Sequence, residues 1–315
     1  MGSLDRANLD HIGSSALRFW RLGVYLLWTV PLMPVQAVGL ALRRRWVVTF
    51  PRLYHRCCRR ILGIEVRVIG QPATARPVLF AANHISYLDI TVLGSLLDAS
   101  FIAKTEIASW PLFGWLARLQ RSVFIDRRAR STARQRDSIA ARLAAGEALI
   151  LFPEGTSGDG NRLLPFKSAL FSVADHIAGP GAIHRGAIHG GAIHRGAIHR
   201  GAIHGGAGAV TVQPVSIAYT RLDGMPLGRG LRPFIAWYGS MSLAPHLWRM
   251  LGLGRLEVVV EFHSPTTLAA CGSRKNLARY CEERVAEGLA GALSGRREAP
   301  ERDGPLPEQR LPVAA

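Results

Sequence analysis

Short hydrophobic runs recur along most of this chain, at 65–70 (EVRVIG), 77–83 (PVLFAAN), 100–104 (SFIAK), 122–127 (SVFIDR), 148–154 (ALILFPE), 210–219 (VTVQPVSIAY), 234–239 (FIAWYG) and 256–263 (LEVVVEFH). Each is rich in Val, Ile, Leu or Phe and predicts a β-strand. Several are continuously apolar rather than alternating, as in a sheet covered on both faces. Between them lie stretches with helical spacing, at 86–97, 112–120, 131–145, 167–177 and 275–293. This alternation predicts an α/β fold, a mixed and largely buried sheet wrapped by helices.

The first sixty residues follow another pattern. Residues 22–42 carry no charge, with Arg18 and Arg21 before them and Arg43, Arg44 and Arg45 after. One helix of that length could cross a bilayer. Pro31 and Pro34 each remove a backbone donor and oppose a straight helix. Basic flanks at both ends place both on the cytoplasmic side. The preferred expectation is a pair of helices dipping into the cytoplasmic leaflet of a membrane. A kinked transmembrane helix and a buried core hairpin are the alternatives. A short basic helix follows at 52–62. The predicted organisation is a membrane-associating segment at 1–62, a main domain at 63–295 and a disordered tail at 296–315.

One segment fits neither period. Residues 181–205 repeat GAIHR or GAIHG five times, with His184, His189, His194, His199 and His204 at every fifth position. No carboxylate or cysteine accompanies them, and a surface-loop expansion is expected there rather than a metal site. The four cysteines have no Cys-x-x-Cys spacing and read as free thiols. The formal net charge of +17 suggests acidic partners. Residues 1–60 hold ten arginines against two aspartates, so the charge gathers around the apolar segment. A nucleic-acid reader would need a basic stripe with aromatic platforms, and no such motif is present.

Candidate chemistry sits at the ends of the predicted strands. NHISYLD (83–89) places Asp89 five residues after His84. Ser86 can cap the following helix with Asp89 at its third position, which explains the pair structurally. The same geometry lets Asp89 reach back to one imidazole nitrogen and leaves the other to take a proton. No Ser or Cys stands in a nucleophile setting, so a dyad would act on a substrate hydroxyl. FPEGTSGDGNRLLPFK (152–167) offers Glu154 and a glycine-rich turn, and VFIDRR (123–128) ends on Arg127 and Arg128. Lys104 ends another strand.

Together NHISYLD, VFIDR, FPEGT and VQPVSIAY resemble, in order, the four blocks of the PlsC-type glycerolipid acyltransferases over roughly residues 60–265. The resemblance implies a helix-wrapped sheet and transfer of an acyl group from acyl carrier protein or coenzyme A to a lysolipid hydroxyl. It implies His84 as general base, oriented by Asp89, with no metal or other cofactor. It implies acceptor binding by Arg127, Glu154, Gly155 and Thr156, with Pro214 in the fourth block and Lys104 and Arg162 as further candidates. Ser157 stands where the family commonly has an arginine, and EGTSGDGNRLLPFKSALF is similar to a lyso-ornithine lipid acyltransferase subgroup. On the retained Arg127, lysophosphatidate is the first expected acceptor and lyso-ornithine lipid the second. A membrane lipid-binding protein without catalysis is the reading from another class.

Overall fold

The computed structural model describes residues 13–125, 132–177 and 209–296. Arg127, Arg128, the pentapeptide repeat and nearly all of the predicted tail lie outside them.

Helix α1 (Ser15–Ala41) and helix α2 (Phe50–Ile61) precede strand β1 (Ile64–Ile69). There follow β2 (Val78–Ala82), α3 (Leu88–Leu96), β3 (Ser100–Lys104), α4 (Phe113–Leu119), β4 (Val123–Ile125), α5 (Thr132–Ala144), β5 (Ala148–Leu151) and α6 (Ser172–Ile177). The last third holds β6 (Thr211–Leu222), β7 (Met225–Pro226), α7 (Arg232–Ile235), α8 (Leu243–Leu251), β8 (Leu256–Phe262), β9 (Thr266–Thr267), α9 (Leu268–Cys271) and α10 (Arg274–Leu293).

The sheet runs β1-β8-β6-β2-β5-β3-β4, with β7 and β9 added against β6. Pairing is parallel except where β6 meets β8, β7 and β9. It is the expected mixed sheet. Both faces are covered: Val78, Phe80 and Ala82 of β2 pack to one side, and Leu79 and Ala81 to the other, all buried. That two-sided burial explains why the strand reads as an unbroken apolar run.

Two expectations are corrected. Residues 234–239 are not a strand: Pro233 opens the short helix α7, and the chain then leaves it in an extended turn. A short apolar run cannot distinguish a buried strand from a buried helical turn, and proline in the first helical turn decides it here. The apolar N-terminal stretch is not a helix pair. α1 is one helix with Pro31 and Pro34 inside it, capped by Ser14, whose side chain accepts from Leu17 N–H.

Helix α1 continues through its prolines because its inner face is held along its length. Arg21 donates to the carbonyls of Leu251, Leu253 and Gly254 near one end. Thr29 meets the Tyr54 hydroxyl at 3.0 Å in the middle. Gln36 donates to the carbonyls of Val47 and Leu119 near the other. The polar residues of the helix therefore point inward, while much of its apolar surface is exposed. Trp20, Leu27 and Val30 are 69%, 76% and 56% exposed, the reverse of a soluble helix.

Candidate active site

β2 and β5 are parallel neighbours, with Ala81 opposite Leu151. Their carboxyl ends therefore release the 83–89 and 152–158 loops side by side, where α/β sheets place their sites. Asn83 fixes the first loop by a two-way amide bond: its Nδ2 donates to Ile217 O at 2.9 Å and its Oδ1 accepts from Ile217 N–H at 2.7 Å. Gly158 N–H donates to His84 O at 2.8 Å and ties the second loop to the first. Gly155, at φ +68°, makes the turn that a side chain would strain.

His84 Nδ1 lies 2.8 Å from Asp89 Oδ2. The same oxygen accepts from the backbone N–H groups of Ile85 and Ser86, at 2.7 and 3.0 Å. Asp89 Oδ1 accepts from the Tyr219 hydroxyl at 2.7 Å. Asp89 is fully buried, and four hydrogen-bond contacts occupy its two carboxyl oxygens. The His84 side chain is 19% exposed and stacks on Phe152, with ring centroids 4.2 Å apart. One imidazole nitrogen is thus fixed on a buried acid while the ring reaches the cavities beside it.

Only the acid half of the expected capping box forms, with Asp89 accepting from Ser86 N–H. α3 begins at Leu88, and the Ser86 hydroxyl makes no hydrogen bond. Asp89 itself satisfies the loop's backbone donors. The acid that orients His84 therefore also organises the loop that carries it.

Glu154 is 3% exposed. It accepts from His84 N–H at 2.6 Å through one oxygen and from Leu164 N–H at 2.9 Å through the other. Burial pushes its pKa up from 4.5 to about 7, with the charges of Asp89 and Glu282, against the two N–H bonds that pull it down. The carboxylate is occupied by backbone, whereas the resemblance implied contact with the acceptor.

Two cavities meet at His84. The first, about 210 Å³, runs towards α1, α2 and α4 and includes Thr29, Tyr54, Phe113 and Leu116 in its wall. Among the described residues no Asp, Glu, Lys or Arg lines it. His55, also in its wall, is held at about pKa 4 by burial, against a hydrogen bond with Gln120. The second, about 660 Å³, has Lys104, Glu106, Thr156 and Lys167 in its wall, together with apolar residues from β5 and α5. Trp110 and Trp237 stand edge to face at 5.8 Å and line both.

Of the expected site residues, His84, Asp89, Glu154, Gly155 and Thr156 come together, and Lys104 lines the second cavity. Arg162 and Pro214 line neither cavity. Pro214 pairs with β2 at Ala81, between the part of β6 that meets β9 and the part that meets β8. A missing N–H is tolerated at such an interruption. Ser157, in the position of the family's arginine, donates its hydroxyl to Trp237 O. Tyr219, Phe152 and Trp237 were not singled out from sequence. The spacing of Ile217 and Tyr219 on one face of β6 is the signal that could have pointed to Tyr219. Among the described residues no cluster of His, Cys, Asp or Glu could hold a metal.

The acyltransferase family model, described simply as "Acyltransferase", matches residues 64–217. The chain is 42% identical over 274 residues to a lyso-ornithine lipid O-acyltransferase of Brucella abortus, covering 87% of this chain and 93% of that protein. It is 31% identical over 227 residues to a 1-acyl-sn-glycerol-3-phosphate acyltransferase of Neisseria gonorrhoeae, covering 71% and 73%. Its fold is similar to that of the crystal structure of PlsC from Thermotoga maritima, with a TM-score of 0.59 at 20% identity, covering 93% and 98% of the two chains.

Proposed function

Because this chain belongs to the acyltransferase family, we propose that its His84–Asp89 pair moves a fatty acyl group from a thioester to the hydroxyl of a lysolipid. The observation that carries the mechanism is the 2.8 Å contact between His84 Nδ1 and buried Asp89. Nδ1–H donates to the carboxylate, and Nε2 is left as the base. The acceptor oxygen attacks the thioester carbonyl while Nε2 takes its proton. The C–S bond then breaks, and the departing thiolate takes that proton from the imidazolium. Asp89 stabilises the imidazolium between the two steps, and no covalent enzyme intermediate is needed. The donor is the thioester of acyl carrier protein or coenzyme A. Both are acidic, and the basic surface of this chain attracts either.

The acceptor is lyso-ornithine lipid. Sequence alone put lysophosphatidate first, and three observations move the weight. The greater identity and coverage belong to the lyso-ornithine relatives, at 42% and 41%. Ser157 is bound to a carbonyl where a phosphate-binding arginine is common in the family. Lys104, Lys167 and Glu106 line the larger cavity with charges of both signs, which suits an amino-acid head.

The protein associates with the cytoplasmic face of a bacterial inner membrane. α1 is long and apolar enough to cross a bilayer. Its polar residues are nonetheless bound to the domain from Arg21 to Gln36, and Trp20, Leu27 and Val30 lie on its exposed face. A helix so arranged lies in the membrane surface and does not span it.

Offering purified protein one labelled acyl donor with equal lyso-ornithine lipid and lysophosphatidate tests the acceptor. Most of the label is expected in the ornithine lipid. Dominant labelling of phosphatidate would reverse the assignment.

A further inference from the structure

The glycine-rich loop after β5 leads from the catalytic pair to a cluster of arginines. At its inner end Gly155, Thr156 and Ser157 line the larger cavity. Gly158 is tied to His84 O, and Gly160 lies against Ile85 and Arg232. Asn161 then joins the loop to the segment that enters α7. Its Nδ2 donates to Arg229 O at 3.1 Å, and its Oδ1 accepts from Arg232 Nη1 at 3.4 Å. Five residues of chain reach at most about 18 Å, so the backbone of Arg162 stands within that distance of Ser157 in the cavity wall.

Four arginines meet at this outer end. Arg162 and Arg229 are exposed. Arg232 is half-buried and donates to the carbonyls of Leu227 and Leu293. Arg296, three residues beyond Leu293, is exposed. Among the described residues none of the four forms a salt bridge with a carboxylate. The loop's own acid, Asp159, is taken up by Asn161, whose backbone N–H and Nδ2 donate to its two oxygens at 2.9 and 3.4 Å. Burial, and then the charge of Arg229, lower the Arg232 pKa from its ordinary value. Like charges kept together are unfavourable, and an acidic partner laid against them relieves the repulsion. Lys167, exposed and in the wall of the larger cavity, carries the positive charge on towards His84.

Resting on the thioester donor reading above, we propose that Arg162, Arg229, Arg232 and Arg296 form the surface on which the donor's acidic carrier protein docks. A single phosphate is gripped by donors that converge on it. These arginines come instead from three separate segments, and three of them are exposed, which suits an extended acidic surface. A carrier docked there delivers its thioester arm along one short loop to the cavity at His84.

The test compares three donors that carry the same acyl chain: acyl carrier protein, acyl coenzyme A, and acyl pantetheine, which has neither carrier protein nor phosphate. kcat and KM are measured on wild type, Arg229→Lys and the double variant Arg162→Glu/Arg229→Glu. Both residues are exposed, and the bonds of Arg232 are left in place. The double variant is expected to lower kcat/KM for acyl carrier protein about tenfold, through KM, as reversed charge at an interface does. Its rates with acyl coenzyme A and acyl pantetheine should match wild type. Arg229→Lys should behave as wild type, and added salt should narrow the gap between wild type and the double variant. An unchanged KM for acyl carrier protein would overturn the docking surface. So would an equal loss with acyl coenzyme A, which marks a phosphate site, or with acyl pantetheine, which marks damage to the catalytic centre. Wild type that transfers from none of the three donors would instead overturn the thioester reading itself.

Discussion

Glu154 and Asp89 are both buried acids within the same two loops, yet they do different work. Asp89 meets the His84 ring, and Glu154 meets the His84 backbone. Glu154 holds its proton to about pH 7 in the folded chain, against an ordinary 4.5. The native state therefore binds more protons than the unfolded chain in that window, and stability falls as pH rises through it. Urea unfolding between pH 4.5 and 7 should show that decline in wild type. The Glu154→Gln variant should lack this part of the slope, and equal slopes in the two proteins would contradict the assignment. The His84–Asp89 pair was legible in sequence because its five-residue spacing spans a single loop-to-helix junction. Tyr219 was not, because it reaches Asp89 across 130 positions of chain and only the sheet order brings them together. Glu154 was legible as an acid at the strand's end, but its backbone partners depend on how the two loops cross.

At the scale of elements, α1 shows where periodicity informs and where it misleads. Its length and lack of charge between 22 and 42 marked it as an apolar helix long enough to cross a bilayer. The prolines argued for a break, because propensity carries no term for the side-chain bonds that hold the inner face. Those bonds are to carbonyls more than 80 residues away in the case of Arg21 and Leu119's partner Gln36. Replacing Trp20, Leu27 and Val30 together by Ser removes apolar surface that touches nothing in either cavity. Vesicle cosedimentation should weaken by at least about tenfold, since each side chain gives up apolar area otherwise buried in lipid. Turnover in detergent micelles should stay near wild type. Unaltered vesicle binding would show that α1 is not the membrane face. The strand expected at 234–239 failed for the opposite reason: an apolar run too short to carry a period, in which Pro233 was the deciding residue.

In the whole molecule, membrane contact, cavities and catalytic pair form one path. α1 supplies the outer apolar surface, and its inner face helps wall the smaller cavity through Thr29. That cavity ends at His84, which the larger one also reaches. The sheet order was beyond sequence reading, because β6 is inserted between β8 and β2 by a long crossover. The class of fold was within it, because buried parallel strands leave continuous apolar runs. The most direct measurement of the central claim is the rate of labelled acyl transfer to lysolipid by folded His84→Ala protein against wild type. Removing a general base should cost on the order of 10²- to 10⁴-fold in kcat, with Asp89→Asn falling alongside it. Wild-type turnover from the His84→Ala protein would contradict the mechanism.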